Sequence, residues 1–176
     1  MHGVRRVFVL HSNTAVTAPL FSETSLATLG GRMDVVARAL IASLYDLGSP
    51  RPDTLFVAVL NGPPSPPLSL YIYPSESICR KPSEREAGAI LLRMIAGAAA
   101  GPSEVKREGT LDVVVSLKGL GYEVYLLAEG CEDISRANIG SKCAFVLGDQ
   151  IGFPRELERE LRRVAHGCIS LGRRSY

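Results

Sequence analysis

The chain has 176 residues, of which 46% are hydrophobic and 22% charged, and a formal net charge of +2. That length allows about one domain with a sizeable buried core, and the composition excludes a disordered or low-complexity chain. The near-neutral balance excludes a broadly polybasic surface, so a nucleic-acid partner would need basic residues gathered on one face; with no tryptophan and 6% aromatic residues, a base-stacking platform is not prominent.

No apolar run approaches the roughly 20 residues that cross a bilayer. The start, Met1 to Leu10, is basic and then briefly apolar, but Asn13 and Thr14 follow at once, unlike a signal peptide. Val4 to Leu10 is therefore predicted as a first strand, in a cytoplasmic protein. The stretch from His11 to Gly31 is rich in Ser, Thr and Gly, a loop long enough to be functional or mobile. After Gly30-Gly31, the residues Met33, Val36, Ala37, Leu40, Ile41 and Leu44 recur at helical spacing. Arg32 and Asp34 fall on or beside the first turn, where Asp34 either complements the helix dipole or serves as a functional carboxylate.

Thr54 to Leu60 is a continuous apolar strand, buried on both faces. Asn61 to Pro67 holds four prolines and a glycine, a stiff connector that can join neither ladder nor helix. Leu68 to Tyr73 alternates, with Ser69, Tyr71 and Tyr73 opposite the apolar side, as in an edge or near-edge strand. Ser83 caps a helix running to about Ala100, and Gly101-Pro102 is the best candidate for a hinge. Val105 to Gly109 is short and basic. Thr110 to Leu120 reads as a helix capped by Thr110, although Val113-Val114-Val115 also suits a strand. Glu123 to Leu127, Cys143 to Leu147 and Gly167 to Leu171 are strands, and Pro154 to Val164 is a helix with a charged, solvated face. The alternation predicts one α/β domain spanning residues 1–176, with a largely parallel sheet flanked by helices.

Cys79, Cys131, Cys143 and Cys168 show neither zinc-ligand spacing nor a secreted disulfide framework, so buried, inert thiols and no metal are expected. Three strand ends carry the candidate ligand crevice: Leu127-Ala128-Glu129-Gly130, Leu147-Gly148-Asp149 and Leu171-Gly172. In a parallel sheet such tips share one edge, and small residues let backbone groups approach a flat ligand. Gly-x-Gly-x-x-Gly, Walker and serine-elbow motifs are absent.

Several blocks resemble the archaeal tRNA pseudouridine-54 N1-methyltransferases, of the SPOUT class. They are Thr14 to Pro19 with Phe21-Ser22, Gly31 to Arg38, Asn61 to Pro64, Ser83 to Arg85, Glu132 to Ile134, Phe145 to Asp149 and Ile169 to Gly172. They span nearly the whole chain in the family's order. The resemblance implies a SPOUT-like fold closed by a C-terminal trefoil knot, a homodimer, and S-adenosylmethionine held by Leu127, Gly148, Ile169, Ser170, Leu171 and Gly172. It implies methyl transfer to N1 of pseudouridine 54 in the T-loop of tRNA. The alternatives are a SPOUT-like dimer that binds RNA without methylating it, and a methyltransferase acting on ribosomal RNA.

Arg32 and Asp34 are the expected catalytic pair. Arg32 would stabilise charge on the uracil oxygens; Asp34 would accept the N1 proton, if its surroundings raise its pKa, or else act in positioning. Asp149 takes a turn-forming role after Gly148. Arg38, Lys106, Arg107, Arg173 and Arg174 are the candidate RNA contacts, and the His11 to Gly31 loop would fold over the unstacked target. Family chains continue beyond the Leu171-Gly172 turn, whereas this sequence stops at Tyr176, so the third wall of the cofactor site is expected to be incomplete here.

Overall fold

Seven strands form one sheet in the order β6-β5-β4-β1-β8-β7-β9, in a computed structural model that describes residues 3–74, 82–98 and 103–172. The strands are β1 (Arg6–Ser12), β4 (Thr54–Leu60), β5 (Leu68–Ile72), β6 (Glu104–Lys106), β7 (Glu123–Asp133), β8 (Cys143–Gly148) and β9 (Gly167–Ser170); β2 (Tyr45–Asp46) and β3 (Ser49–Pro50) make a separate small hairpin. The helices are α1 (Met33–Leu44), α2 (Glu84–Ile95), α3 (Thr110–Gly119) and α4 (Arg155–Val164). β1 pairs in parallel with β4 and β8, and β7 pairs in parallel with β8 and β9. Only β5 runs against its neighbours β4 and β6. The largely parallel α/β prediction holds.

Alternate strand residues feed two apolar layers. Leu10, Phe56, Ala58, Leu60 and Leu70 pack with α1 and α2, while Val7, Val9, Leu55, Val57 and Val59 pack with α3 and with Leu161 of α4. All seven residues of β4 are buried, as its unbroken apolar run requires. Burying each large side chain there contributes about 1.5–3 kcal/mol. Helix α4 buries only Leu161 among the described residues, in line with its charged sequence.

Several boundaries differ from the sequence reading. β1 runs to Ser12 because polar His11 and Ser12 are buried and paired with Val59 and Leu60 of β4. The loop that follows is packed: Ala15, Val16, Phe21 and Leu26 are buried in the α1–α2 layer, and Val16 N–H and Thr17 N–H donate to Gly30 O and Pro63 O. Ser69 and Tyr71 of β5 are buried rather than open, since β6 covers the edge and Glu108 accepts from both. Thr110 is the first residue of α3, not its cap. Gly109 precedes it and donates its N–H to Asp112 Oδ2 at 2.9 Å. Ser83 does cap α2, with Glu86 completing a reciprocal capping box. That helix ends at Ile95, before Gly97 with φ 78°. β7 continues past Leu127 to Asp133 through a bulge.

The thiols also depart from expectation. Cys131 and Cys168 form a disulfide across a 5.5 Å Cα separation, because the bulge of β7 carries Cys131 onto β9. Cys143 is a buried free thiol, as expected. Cys79 and the Gly101-Pro102 hinge lie outside the described residues. Among those described, no helix is long and apolar enough to cross a membrane, and no group of three His, Cys, Asp or Glu could hold a metal ion.

Candidate active site

The carboxyl ends of β8, β7 and β9 lie side by side. Leu126 is level with Val146, and Leu127 is level with Ile169, so the three predicted tips do share one edge. The turn after β8 is tight. A Cβ on Gly148 would stand 2.8 Å from the Gly152 backbone, so only glycine allows residues 148–152 to close on themselves. At the β9 tip, Gly172 has φ 96° and open space where a Cβ would be. Ile151 and Leu171 are 61% and 64% exposed beside these turns. Apolar side chains flanking bare backbone suit a flat heterocycle with a polar tail, so the tips fit the ligand expected of them.

β7 contributes more than its tip. Both Leu127 and Glu132 stand opposite Ile169, so residues 128–131 bow out between them. The disulfide pins this bow to Cys168, and Arg162 donates from Nη1 to Cys131 Sγ at 3.5 Å while pairing with Glu158.

Asp149 is buried and saturated with donors. It accepts from Asn13 N at 2.7 Å, Asn13 Nδ2 at 2.8 Å, Ile151 N at 3.0 Å and Ser12 Oγ at 3.4 Å. Asn13 Nδ2 also donates to Gly152 O at 2.7 Å. The turn-forming role expected of Asp149 is visible in the bond from Ile151, but most of its partners come from the end of β1.

Arg32 and Asp34 do meet at the head of α1. Arg32 sits at the N-cap with φ 70°, a left-handed conformation uncommon for a side-chain-bearing residue. That turn aims its guanidinium at Asp34, with Nε to Oδ1 at 3.0 Å and Nη2 to Oδ2 at 3.1 Å. Arg38, one turn on, donates to Oδ2 at 2.7 Å. The Asp34 side chain is 8% exposed, against 42% for Arg32 and 56% for Arg38. The hydrogen bond from Arg32 is the largest influence holding the Asp34 carboxyl below the usual carboxylate range, the opposite of what a general base needs. Asn13 is bound to Asp149, and its neighbour Thr14 donates from Oγ1 to Gly31 O at 2.8 Å, so the head of α1 is tied to the β8 turn through two consecutive residues.

His11 closes the floor of this edge. Its Nδ1 is 2.7 Å from Thr110 Oγ1, its ring packs 5.7 Å from that of Phe153, and burial pushes its pKa down. Among the described residues, His11 Nε2 is the one buried side-chain nitrogen or oxygen without a hydrogen-bond partner.

The basic residues do not gather. Arg38 is bound to Asp34. Lys106 pairs with Glu104 and stands 4.4 Å over the Tyr71 ring, and Arg107 donates to Ser65 O. β6 lies four strand positions from β8, about 19 Å at the usual spacing, so Lys106 is remote from the crevice, whereas Arg107 lies past the end of β6 on the way to Thr110 and His11. Arg173 and Arg174 lie outside the described residues.

Comparison with known proteins gives the chain's family. Residues 5–175 match a family described as SAM-dependent RNA methyltransferases. A tRNA (pseudouridine(54)-N(1))-methyltransferase of Methanocella arvoryzae is 32% identical, the match covering 97% of this chain and 91% of the relative. The enzyme of that name from Thermococcus kodakarensis is also 32% identical, with the same coverage. The chain belongs to this family. Its fold is shared with Nep1 of Archaeoglobus fulgidus, solved bound to S-adenosylhomocysteine, at TM-score 0.58 and 18% identity over 99% of this chain and 91% of that one.

The sequence reading missed Asn13 and the Cys131–Cys168 pair. Asn13 sits where an apolar strand gives way to a polar turn, a position that could have marked it. Nothing in the spacing of the cysteines marks their pairing.

Proposed function

We propose that this chain is an S-adenosylmethionine-dependent methyltransferase acting on N1 of pseudouridine 54 in tRNA. The observation that carries the reading is the link through Asn13 and Thr14 from the Asp149 turn to Gly31, the residue before Arg32, next to the strand tips where Leu127, Gly148 and Ile169 to Gly172 would hold the methyl donor. When bound, that donor supplies a sulfonium-activated methyl group. The protein's part is placement and charge.

Arg32 stabilises the negative charge that the uracil oxygens take up as the N1 proton leaves to water. Asp34, held ionised by two guanidiniums, orients Arg32 rather than taking the proton. Arg38 is exposed beside them and provides a phosphate contact, with Arg173 and Arg174 as further candidates. Lys106 would serve a more distant part of a large RNA, and Arg107 a part that passes the Ser65 loop. The protein is a homodimer with a sheet closed by a C-terminal knot, two readings that rest on the family resemblance, and it works in the cytoplasm, a reading that rests on the sequence.

The test is nucleoside mass spectrometry of tRNA carrying either pseudouridine or uridine at position 54, incubated with the chain and S-adenosylmethionine. Methylpseudouridine from the first alone is expected, because N1 of uridine is blocked by its glycosidic bond. Donor binding without methylation of either would support the non-catalytic RNA-binding dimer. Methylation of ribosomal RNA incubated in parallel, with both tRNAs left unmethylated, would support the other reading.

A further inference from the structure

The methyl-donor turn and the Arg32–Asp34 pair are stitched together by one short segment. Asn13 is bound at both ends of the 149–152 turn, through Asp149 Oδ1 at 2.8 Å and Gly152 O at 2.7 Å, and its own N–H is held by Asp149 Oδ2 at 2.7 Å. Its neighbour Thr14 reaches the other way, with Oγ1 donating to Gly31 O at 2.8 Å. A Cβ on Gly31 would stand 2.0 Å from Thr14 O, so the two backbones touch there. The next residue is Arg32, whose left-handed backbone sets the aim of its guanidinium. A hydrogen-bonded path therefore runs from Gly152 through Asn13, Thr14 and Gly31 to Arg32.

We propose that Asn13 is a positioning residue: it shapes the turn that receives the methyl donor and, through Thr14, sets Arg32 in register with that turn. Two features favour this over a merely stabilising contact. Asp149 is buried, and two of the four hydrogen bonds to its carboxylate come from Asn13, one from the backbone N–H and one from the side-chain amide that also holds Gly152 O, so the turn's shape depends on that side chain. The path also continues beyond the turn, through Thr14 to the backbone next to Arg32, which a contact that only stabilised the turn would not require. The inference rests on the proposed methyltransferase reading.

The experiment measures S-adenosylhomocysteine affinity by calorimetry, with kcat and KM on pseudouridine-bearing tRNA, for Asn13→Ala, Thr14→Val, Arg32→Ala and the Asn13→Ala/Arg32→Ala double variant. Asn13→Ala keeps the backbone bond to Asp149 but loses one side-chain hydrogen bond to that charged group and one to the Gly152 carbonyl, so it should weaken S-adenosylhomocysteine binding about tenfold and lower kcat. Thr14→Val leaves the Asp149 cluster whole, so it should keep the affinity and lower kcat alone. Arg32→Ala should cost less in the Asn13→Ala background than in the wild type. Equal affinity of Asn13→Ala and wild type, an unchanged kcat for Thr14→Val, or strictly multiplicative losses would overturn the proposal. Should Asn13→Ala fail to fold, Thr14→Val decides alone. Absence of S-adenosylhomocysteine binding by the wild type would instead sink the functional reading itself.

Discussion

Reduction of the Cys131–Cys168 disulfide should lower the melting temperature by about 10 °C. The bond closes a loop of sequence separation 37, and the chain-entropy cost it removes from the unfolded state is about 4 kcal/mol for a loop of that size. Unfolding entropy near 2.1 cal/mol/K per residue gives about 0.4 kcal/mol/K for a chain of 176 residues. Dividing the two gives the shift. The effect should also reach the ligand. The bow that loses its pin joins Leu127 to Glu132, both opposite Ile169, so S-adenosylhomocysteine should raise the melting temperature less in reductant than without it. Scanning calorimetry with and without a dithiol measures both, and alkylation followed by mass spectrometry verifies that Cys131 and Cys168 are blocked beforehand. A Cys131→Ser/Cys168→Ser variant should match the reduced protein. Melting temperatures equal within a degree, with the bond shown to be present and then broken, would refute the reasoning.

Acid should destabilise the fold through His11. Burial holds its folded pKa below the unfolded value of 6.5. Its contribution is therefore fully present above pH 6.5 and is lost as pH falls below that toward the folded pKa. Denaturant titrations at pH 7.5 and 5.5 should show the loss, and His11→Gln should flatten it; an equal slope in the variant argues against His11 as the cause. Asp34→Asn should lower kcat about 10- to 100-fold while leaving S-adenosylhomocysteine affinity unchanged, because the aim of Arg32 is lost and the strand tips are not. Wild-type turnover in that variant would remove Asp34 from the chemistry.

What could be read from the residues was whatever they express locally. β4 and β8 are apolar runs, α2 opens with its own capping box, and Arg32 and Asp34 stand next to an unmistakable helix start. The adjacency of the three strand tips follows from parallel pairing, so it too was legible. Hidden features are those created by distant chain segments meeting. His11 and Ser12 look like loop residues until both pair with β4, and His11 with β8 as well. Asn13 and Asp149 are 136 residues apart and ordinary in isolation. The direction of the Asp34 shift depends on two guanidiniums converging from the same helix, one of them through a left-handed turn that composition does not announce. The disulfide needs a bulge in β7, and β6 is too short and too charged to show itself as a strand.

The central place of β1 has a consequence for how the molecule is made. One edge of β1 meets β4, which emerges from the ribosome soon afterwards, and the other meets β8, near the far end of the chain. The α1–α2 layer with β1, β4 and β5 can therefore condense early, leaving an apolar strand edge bare until residues 143–148 arrive. Such long-range parallel pairing is slow to form and exposed to misassembly while it waits. The half of the sheet that carries β7, β8 and β9 completes last, so the edge proposed to hold the donor exists only once the rest of the structure is in place.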